Sequence, residues 1–290
     1  MSKPSDDPVT PGLYLIATPI GNAGDITLRA LHVLKNADVI VCEDSRVTSR
    51  LLAIYGISKP LKPYHEHNAD RVRPVIIKLL KDGKKAALVS DAGTPLISDP
   101  GYDLLRACID EGLPVTTLPG PSAPLAALVL SGLPADRFLF AGFPPSRATG
   151  RRKVYAELAV IPATLIFMES PKRLAAALAD MAEILGPRQA AVGRELTKMF
   201  EEVRRGALAE LAAYYQTKGP PKGEITVVVA PPSSVGVIID DDELDRRLLA
   251  ALDGHSVRDA AAKVAAAANL PRRRVYARAL LLNKKINARA

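Results

Sequence analysis

Three short stretches place glycine, proline and small polar side chains directly after apolar runs, and each could carry a ligand. Thr18 to Asp25 reads TPIGNAGD, Val89 to Gly101 reads VSDAGTPLISDPG, and Leu118 to Ala123 reads LPGPSA. Glycine at a strand-to-helix turn lets backbone amides approach a ligand closely. The first stretch has Gly21 and Gly24, but neither the G-x-G-x-x-G fingerprint of a dinucleotide site nor a Walker lysine. A nicotinamide-dependent enzyme is therefore not expected. The second stretch holds more acids, glycines and prolines than one turn requires. Asp99 is expected to cap the helix that follows, which leaves Asp91 without an obvious structural duty. In the third, Ser122 serves as N-cap or as ligand donor.

Ionisable side chains gather in three further places. Glu43, Asp44 and Arg46 stand together, His65, Glu66, His67 and Asn68 are consecutive, and Glu195, Lys198 and Glu201 share the segment RELTKMFEE. Groups of this kind suit proton transfer or the stabilisation of developing charge. Each also has a plain structural use. Asp44 can cap a helix beside a surface Arg46, and Glu195 with Lys198 can form a cross-strand ion pair. The H-E-H triplet finds no third partner at ligand spacing in a chain with 4 histidines, so no metal site is expected.

The elements that must position these residues alternate along the chain. GLYLIAT, ADVIVCED, KKAALVSD and LPVTTLPG read as strands; DITLRALHVLKNA (with an acidic first turn), SRVTSRLLAIYG, RVRPVIIKLLKDG, DPGYDLLRACIDEG and SAPLAALVLSG read as helices. Strand and helix in turn, with short connections, predict a parallel, doubly wound α/β sheet whose ligands lie beyond the strands' C-terminal ends. After the Gly-, Pro- and Arg-rich loop GFPPSRATGRRK the alternation resumes. The strands there are ATLIFMES, QAAVGREL, KMFEEVRRG and GEITVVVAP. The pattern predicts an α/β domain over 1–135, a second over 136–232, a linker (PPSSVGVIIDDDE), and a helical module over 240–290. That module reads as three short helices, with Ser256 as an N-cap and Pro271 in a first turn.

Charge separates the same parts. The net charge is +8, yet from Gly254 onward nine basic side chains face the single acid Asp259, so the rest of the chain is neutral. Three small basic helices fit a helix-turn-helix-like module that binds a polyanion, nucleic acid before membrane. Aromatic residues make up only 4% of the chain, which argues against base stacking as the main contact. Cys42 and Cys108 sit in apolar surroundings and read as buried free thiols. The first residues resemble neither a signal nor a transit peptide, and no apolar run is long enough to span a membrane. A cytoplasmic protein is expected.

Taken together, LYLIATPIGNAGDIT, VIVCEDSRVTSRLL, YHEHN, ALVSDAGTPLISDPG, PGPSA and RELTKMFEEVRRG resemble the tetrapyrrole methylase family. Within it they are most similar to the branch that methylates small-subunit ribosomal RNA, and the likeness runs from about Gly12 to the chain end. The resemblance implies two α/β domains of the class III methyltransferase kind with S-adenosylmethionine in the cleft between them, usually in a homodimer. It implies methylation of the ribose 2′-oxygen of a cytidine in small-subunit ribosomal RNA, free or in the assembled subunit. Carried over by position, it implies cofactor contacts from Pro19, Ile20, Thr94, Ile97, Ser122, Ala123, Met168, Ile225 and Thr226. The wider family has a glycine-richer first loop than Thr18–Pro19 here, which favours the RNA branch.

Methyl transfer from a sulfonium to oxygen is an in-line displacement that needs alignment and an outlet for the acceptor's proton. Glu43 or Asp44 is expected to act as base or orienter. Arg46 and Lys198 are expected to hold phosphates, with Arg272, Arg273, Arg274 and Arg278 supplying RNA affinity. Two other readings stand beside this one: a methyltransferase of the same family acting on a tetrapyrrole or another small molecule, and a non-catalytic RNA-binding protein with a dead cleft.

Overall fold

Period-two alternation splits the first sheet's side chains between two cores. In the computed structural model, which describes residues 8–232, 241–268 and 272–287, this sheet comprises β1 (Gly12–Ile16), β2 (Val39–Cys42), β3 (Leu61–Pro63), β4 (Lys85–Val89) and β5 (Val115–Leu118). Their order is β3-β2-β4-β1-β5, and every pairing is parallel. Tyr14, Ile16, Ile40, Cys42, Ala87 and Val89 face α1 (Leu28–Asn36) and α2 (Ser45–Ile54). Leu13, Val39, Val41, Ala86 and Leu88 face α3 (Ala69–Lys81) and α4 (Tyr102–Asp110). A sheet covered on both faces needs apolar residues at nearly every strand position, which is why these segments read as continuous apolar runs.

The remaining helix of this half, α5 (Ala123–Ser131), packs elsewhere. Its Ala127 and Leu128 join Ile166 and Val228 of the second sheet, together with Ile20 and Leu196. That sheet contains β6 (Phe138–Phe140), β7 (Thr164–Glu169), β8 (Gln189–Arg194), β9 (Glu202–Ala207) and β10 (Ile225–Val229) in the order β6-β7-β10-β8-β9. Only the β6–β7 pair is parallel. Its other face buries Leu165, Phe167, Val192 and Val227 under α6 (Ala148–Leu158), α7 (Leu174–Leu185) and α8 (Leu208–Lys218). Arg205 donates to the carbonyls of Leu130 and Ser131, placing a cation at the C-terminal end of α5, where the helix dipole favours it.

The chain separates into two compact units, Met1–Pro231 and Pro232–Ala290. The second unit contains α9 (Asp241–Leu252), α10 (Val257–Ala268) and α11 (Arg272–Asn287) around Leu244, Leu248, Ala261, Val264, Val275 and Ala279. Ser256 caps α10 as expected, accepting from the Asp259 amide at 3.2 Å. Pro271 and most of the linker lie outside the described residues, as does Arg289. No described helix is long and apolar enough to cross a membrane. Both cysteines are free and buried.

Several local expectations are corrected. β3 was not anticipated: it is three residues long, follows Pro60, ends on Pro63 and pairs only at the sheet edge, so it carries no alternation to read. Asp25 is not in the first turn of α1, because it belongs to a separate 3-10 turn (Ala23–Asp25). Thr27 caps α1, accepting from the Ala30 amide at 3.1 Å. The segment KMFEEVRRG is a strand only from Glu202; Lys198 to Glu201 form a turn.

Candidate active site

A parallel sheet delivers all its C-terminal strand ends to one edge, so the loops after β1, β2, β3, β4 and β5 become neighbours. Backbone and hydroxyl bonds stitch three of them together. Thr18 and Gly93 exchange both amide-to-carbonyl bonds, at 2.9 and 3.0 Å. The buried Thr18 hydroxyl donates to the Ser90 carbonyl at 3.1 Å, and Thr94 Oγ1 donates to the Pro121 carbonyl at 3.1 Å. Within the loop after β4, Leu96 and Ser98 hold positive φ angles of 71° and 65°. Side chains other than glycine rarely adopt that conformation, and it persists where surrounding structure enforces it, often at functional sites. Gly101 (φ 129°) could not be anything larger, because a Cβ there would lie 2.8 Å from Leu88 Cδ2.

These loops enclose a cavity of about 230 Å³. Six of the nine residues predicted to contact a cofactor line it: Ile20, Thr94, Ile97, Ser122, Ala123 and Met168. Ser122 occupies the cap position of α5 but its side chain makes no capping bond, which leaves the hydroxyl for a ligand. Pro19 sits in the loop between Thr18 and Ile20. Ile225 turns into the core under α7 and α8, and Thr226 is buried opposite Met168 in the β7–β10 register. Eight further residues line it, among them the ionisable or aromatic Asp91, Asp99, Phe143 and Glu224. Asp99 is expected as a helix cap and Asp91 has no expected structural role, while Phe143 and Glu224 come from distant parts of the chain.

Asp99 is not a helix cap. The cap position of α4 is Gly101, with no side-chain bond, and Asp99 turns inward instead. Burial, with Glu43 and Asp91 nearby, pushes its carboxyl up to about 6, against a weaker opposing bond from Ser90. Burial also raises Glu43 and Asp91 above the usual carboxylate range.

Glu43, Asp44 and Arg46 do come together, beside this cavity rather than in its wall. They line a neighbouring space of about 480 Å³ with Asp91, His65 and His67. Asp44 caps α2 by accepting from the Arg46 amide at 2.8 Å, and Arg46 Nη2 meets its Oδ2 at 2.6 Å. That pairing pulls Asp44 down to about 2. A further cavity of about 610 Å³ is bordered by Glu43, His65, Glu66, His67, Ser98, Asp99 and Pro100.

The tautomer of His65 follows from Asn68. The His65 amide donates to Asn68 Oδ1 at 3.0 Å, so Asn68 Nδ2 is the donor toward both the Pro63 carbonyl and His65 Nε2, each at 3.1 Å. Nε2 of the neutral ring is then an acceptor and Nδ1 carries the proton. Nδ1 is buried and has no partner among the described residues.

Lys198 and Glu195 are paired, but within one turn and not across strands. Lys198 Nζ lies 2.8 Å from Glu195 Oε1 and 3.2 Å from Glu224 Oε2. In the helical unit the predicted arginines divide into two sets. Arg278 grips Asp245 at 2.6 and 2.9 Å, and Arg274 reaches Asp241 at 3.4 Å. Arg272 and Arg273 instead line a cavity of about 520 Å³ with Arg258, Ala261 and Tyr276.

Comparison with known proteins adds to this geometry. The model of tetrapyrrole (corrin/porphyrin) methylases matches residues 12–212, and that of the RsmI C-terminal HTH domain matches residues 239–283. A protein of Mesorhizobium japonicum named ribosomal RNA small subunit methyltransferase I is 54% identical over 83% of this chain and 82% of its own length. One of the same name from Erythrobacter litoralis is 50% identical over 96% and 98%. Among solved structures, a cobalt precorrin-4 methyltransferase matches with TM-score 0.57 and 18% identity over 75% of this chain and 94% of its own. A uroporphyrin-III C-methyl transferase from Thermus thermophilus, complexed with S-adenyl homocysteine, matches with TM-score 0.54 and 19% identity over 76% and 97%. At those identities the likeness is one of fold.

Proposed function

The chain belongs to the tetrapyrrole methylase family, and from that premise we propose that it methylates the ribose 2′-oxygen of a cytidine in small-subunit ribosomal RNA, using S-adenosylmethionine. One observation carries the reading: the loops after β1, β4 and β5 meet Met168 of the second sheet around a single cavity. Its wall combines apolar side chains, exposed loop backbone and a few polar groups, the composition of a small-molecule site. It fits an adenine ring and a thioether better than a polyphosphate, since no lysine or arginine among the described residues lines it.

Ile20, Ile97, Ala123 and Met168 would hold the donor's apolar parts, and Thr94 and Ser122 its polar groups. Pro19, Ile225 and Thr226 shape the backbone behind them. When bound, S-adenosylmethionine supplies an electrophilic methyl group on a positively charged sulfur. Glu43 and Asp44 serve the acceptor side. Asp44 fixes Arg46, whose side chain is 84% exposed and free to meet an RNA phosphate in solvent. Lys198 belongs to the same phosphate-facing set, with Glu195 and Glu224 holding it in place until RNA arrives.

The parts 1–135, 136–232 and 240–290 then have separate duties: donor loops, completion of the cleft, and RNA affinity. Arg272 and Arg273 supply that affinity directly, while Arg274 and Arg278 secure the helices that present them. The exposed, adjacent Met199 and Phe200 support assembly as a homodimer. An RNA substrate of this kind places the protein in the cytoplasm. Labelled methyl transfer from S-adenosylmethionine to naked small-subunit RNA, to assembled small subunits and to a uroporphyrinogen-type acceptor tests the reading. Label entering only the tetrapyrrole would overturn it.

A further inference from the structure

A group that receives the acceptor's proton must border two spaces at once, that of the methyl donor and that of the hydroxyl attacking it in line. The donor cavity and the 610 Å³ cavity beside it share two lining residues, Ser98 and Asp99. Glu43, Asp44 and Arg46 do not line the donor cavity. Asp91 does, but it does not border the 610 Å³ cavity, and the Asp44 amide engages one of its oxygens at 3.1 Å. Ser98 is an alcohol, no more basic than the hydroxyl it would have to deprotonate. We propose that Asp99 accepts the proton of the ribose hydroxyl while the acceptor nucleoside occupies the cavity bordered by Glu43, His65, Glu66 and His67. This rests on the methyltransferase reading above.

Three further observations support the assignment. The left-handed backbone at Leu96 and Ser98 turns Asp99 inward, away from the helix start where such a residue would ordinarily cap. The acidic lining of the second cavity disfavours phosphates but suits hydroxyl and amine donors, as a nucleoside presents. His65 offers a buried, unpartnered Nδ1 proton among the same residues, a donor for an oxygen of the incoming nucleoside. Glu43, Asp91, His65, Glu66 and His67 are the titratable groups around Asp99, and burial beside the first two keeps its carboxyl near neutrality. A base of that strength is ionised at working pH and still takes up a proton as the hydroxyl's bond stretches.

The step balances. The ribose oxygen forms a bond to the methyl carbon as the carbon–sulfur bond breaks, and its electron pair goes to sulfur. The hydroxyl proton moves to the Asp99 carboxylate and later to solvent. One positive and one negative charge disappear together, so the net charge of the site is unchanged.

Calorimetric binding tests the placement without turnover. A carboxylate close to the transferred methyl is close to the sulfonium, so S-adenosylmethionine should bind about tenfold more tightly at pH 7.5 than at pH 5. S-adenosylhomocysteine, whose sulfur is neutral, should show no such change, and Asp99→Asn should remove it for S-adenosylmethionine. In single turnover on small subunits, Asp99→Asn should lose about 10²- to 10⁴-fold in rate while still binding S-adenosylhomocysteine. Wild-type protein that binds both ligands with the same pH dependence overturns the assignment, whatever the variant does. So does a variant with the wild-type rate. Failure of the wild type to methylate any RNA would instead overturn the methyltransferase reading.

Discussion

The side chain of Lys198 covers Gly21: a Cβ built on the glycine would collide with the lysine's Cγ and stand 2.8 Å from its Cε. Gly21 belongs to the first strand-end loop, one residue after Ile20 of the donor cavity, and Lys198 to the turn before β9. Glu195 and Glu224 hold Lys198 in place, so it cannot simply swing aside. Gly21→Ala should displace it, destabilise the protein by about 1–3 kcal/mol through overpacking and weaken donor binding. Urea unfolding with calorimetry checks both, and a variant with unchanged stability and affinity would show that the contact has slack.

Asp99 should make the protein less stable where it is ionised. Its carboxyl is raised from 3.8 to about 6, first by burial and then by Glu43 and Asp91, so the folded state binds the proton more tightly than the unfolded chain. The associated stability is fully present below pH 3.8 and is lost as pH rises through about 6. After allowance for solvent screening, the ionised group costs on the order of 1 kcal/mol at pH 7.5. Asp99→Asn should therefore raise Tm by about 2–4 °C at pH 7.5 and leave it unchanged near pH 4. A fall in Tm at pH 7.5 would mean that partners hold the carboxylate in its charged form.

Two neighbouring ion pairs on α6 and α7 should differ widely in worth. The Arg151 and Asp180 side chains are only 6% and 14% exposed, and their pair fastens the two helices together. Asp180→Ala strands the buried guanidinium and should cost about 3–5 kcal/mol. Arg152 and Glu183 lie 37% and 65% exposed, so Glu183→Ala should cost under about 1 kcal/mol. Chemical denaturation of both variants makes the comparison, and equal costs would refute it.

The helical unit's arginines should separate affinity from folding. Arg272→Ala and Arg273→Ala should each weaken RNA binding for all sequences alike and lower the slope of log affinity against log salt by about 1. Arg278→Ala, which breaks the two-pronged pair with Asp245, should instead lower the melting temperature of that unit. Filter binding across a salt series, with circular dichroism melts, tells the two effects apart. An unchanged salt slope for both Arg272→Ala and Arg273→Ala would remove this groove from the RNA contact.

Much of this arrangement was legible because burial writes itself into residue type. Val39 to Cys42 had to be a strand covered on both faces, and Gly93 to Gly101 had to be more than a turn. The failures share a different cause. Asp99 read as a cap because whether it faces a helix start or a cavity depends on the backbone at Leu96 and Ser98, and neither residue type announces a left-handed conformation. Phe143 and Glu224 reach the cavity only through the path of the second sheet, which no local pattern reveals. Arg272 and Arg278 are alike in composition, and only the positions of Asp241 and Asp245 on α9 distinguish the one that holds helices from the one that faces a groove.

Mapping the methyl group at nucleotide resolution tests the central claim most directly. Small subunits that have never been modified are incubated with the protein and S-adenosylmethionine, and the ribosomal RNA is digested and analysed by mass spectrometry. The account predicts one new 2′-O-methylcytidine, absent when Asp99→Asn replaces the wild type. Methyl on a base, on a residue other than cytidine, or on no RNA at all would contradict it.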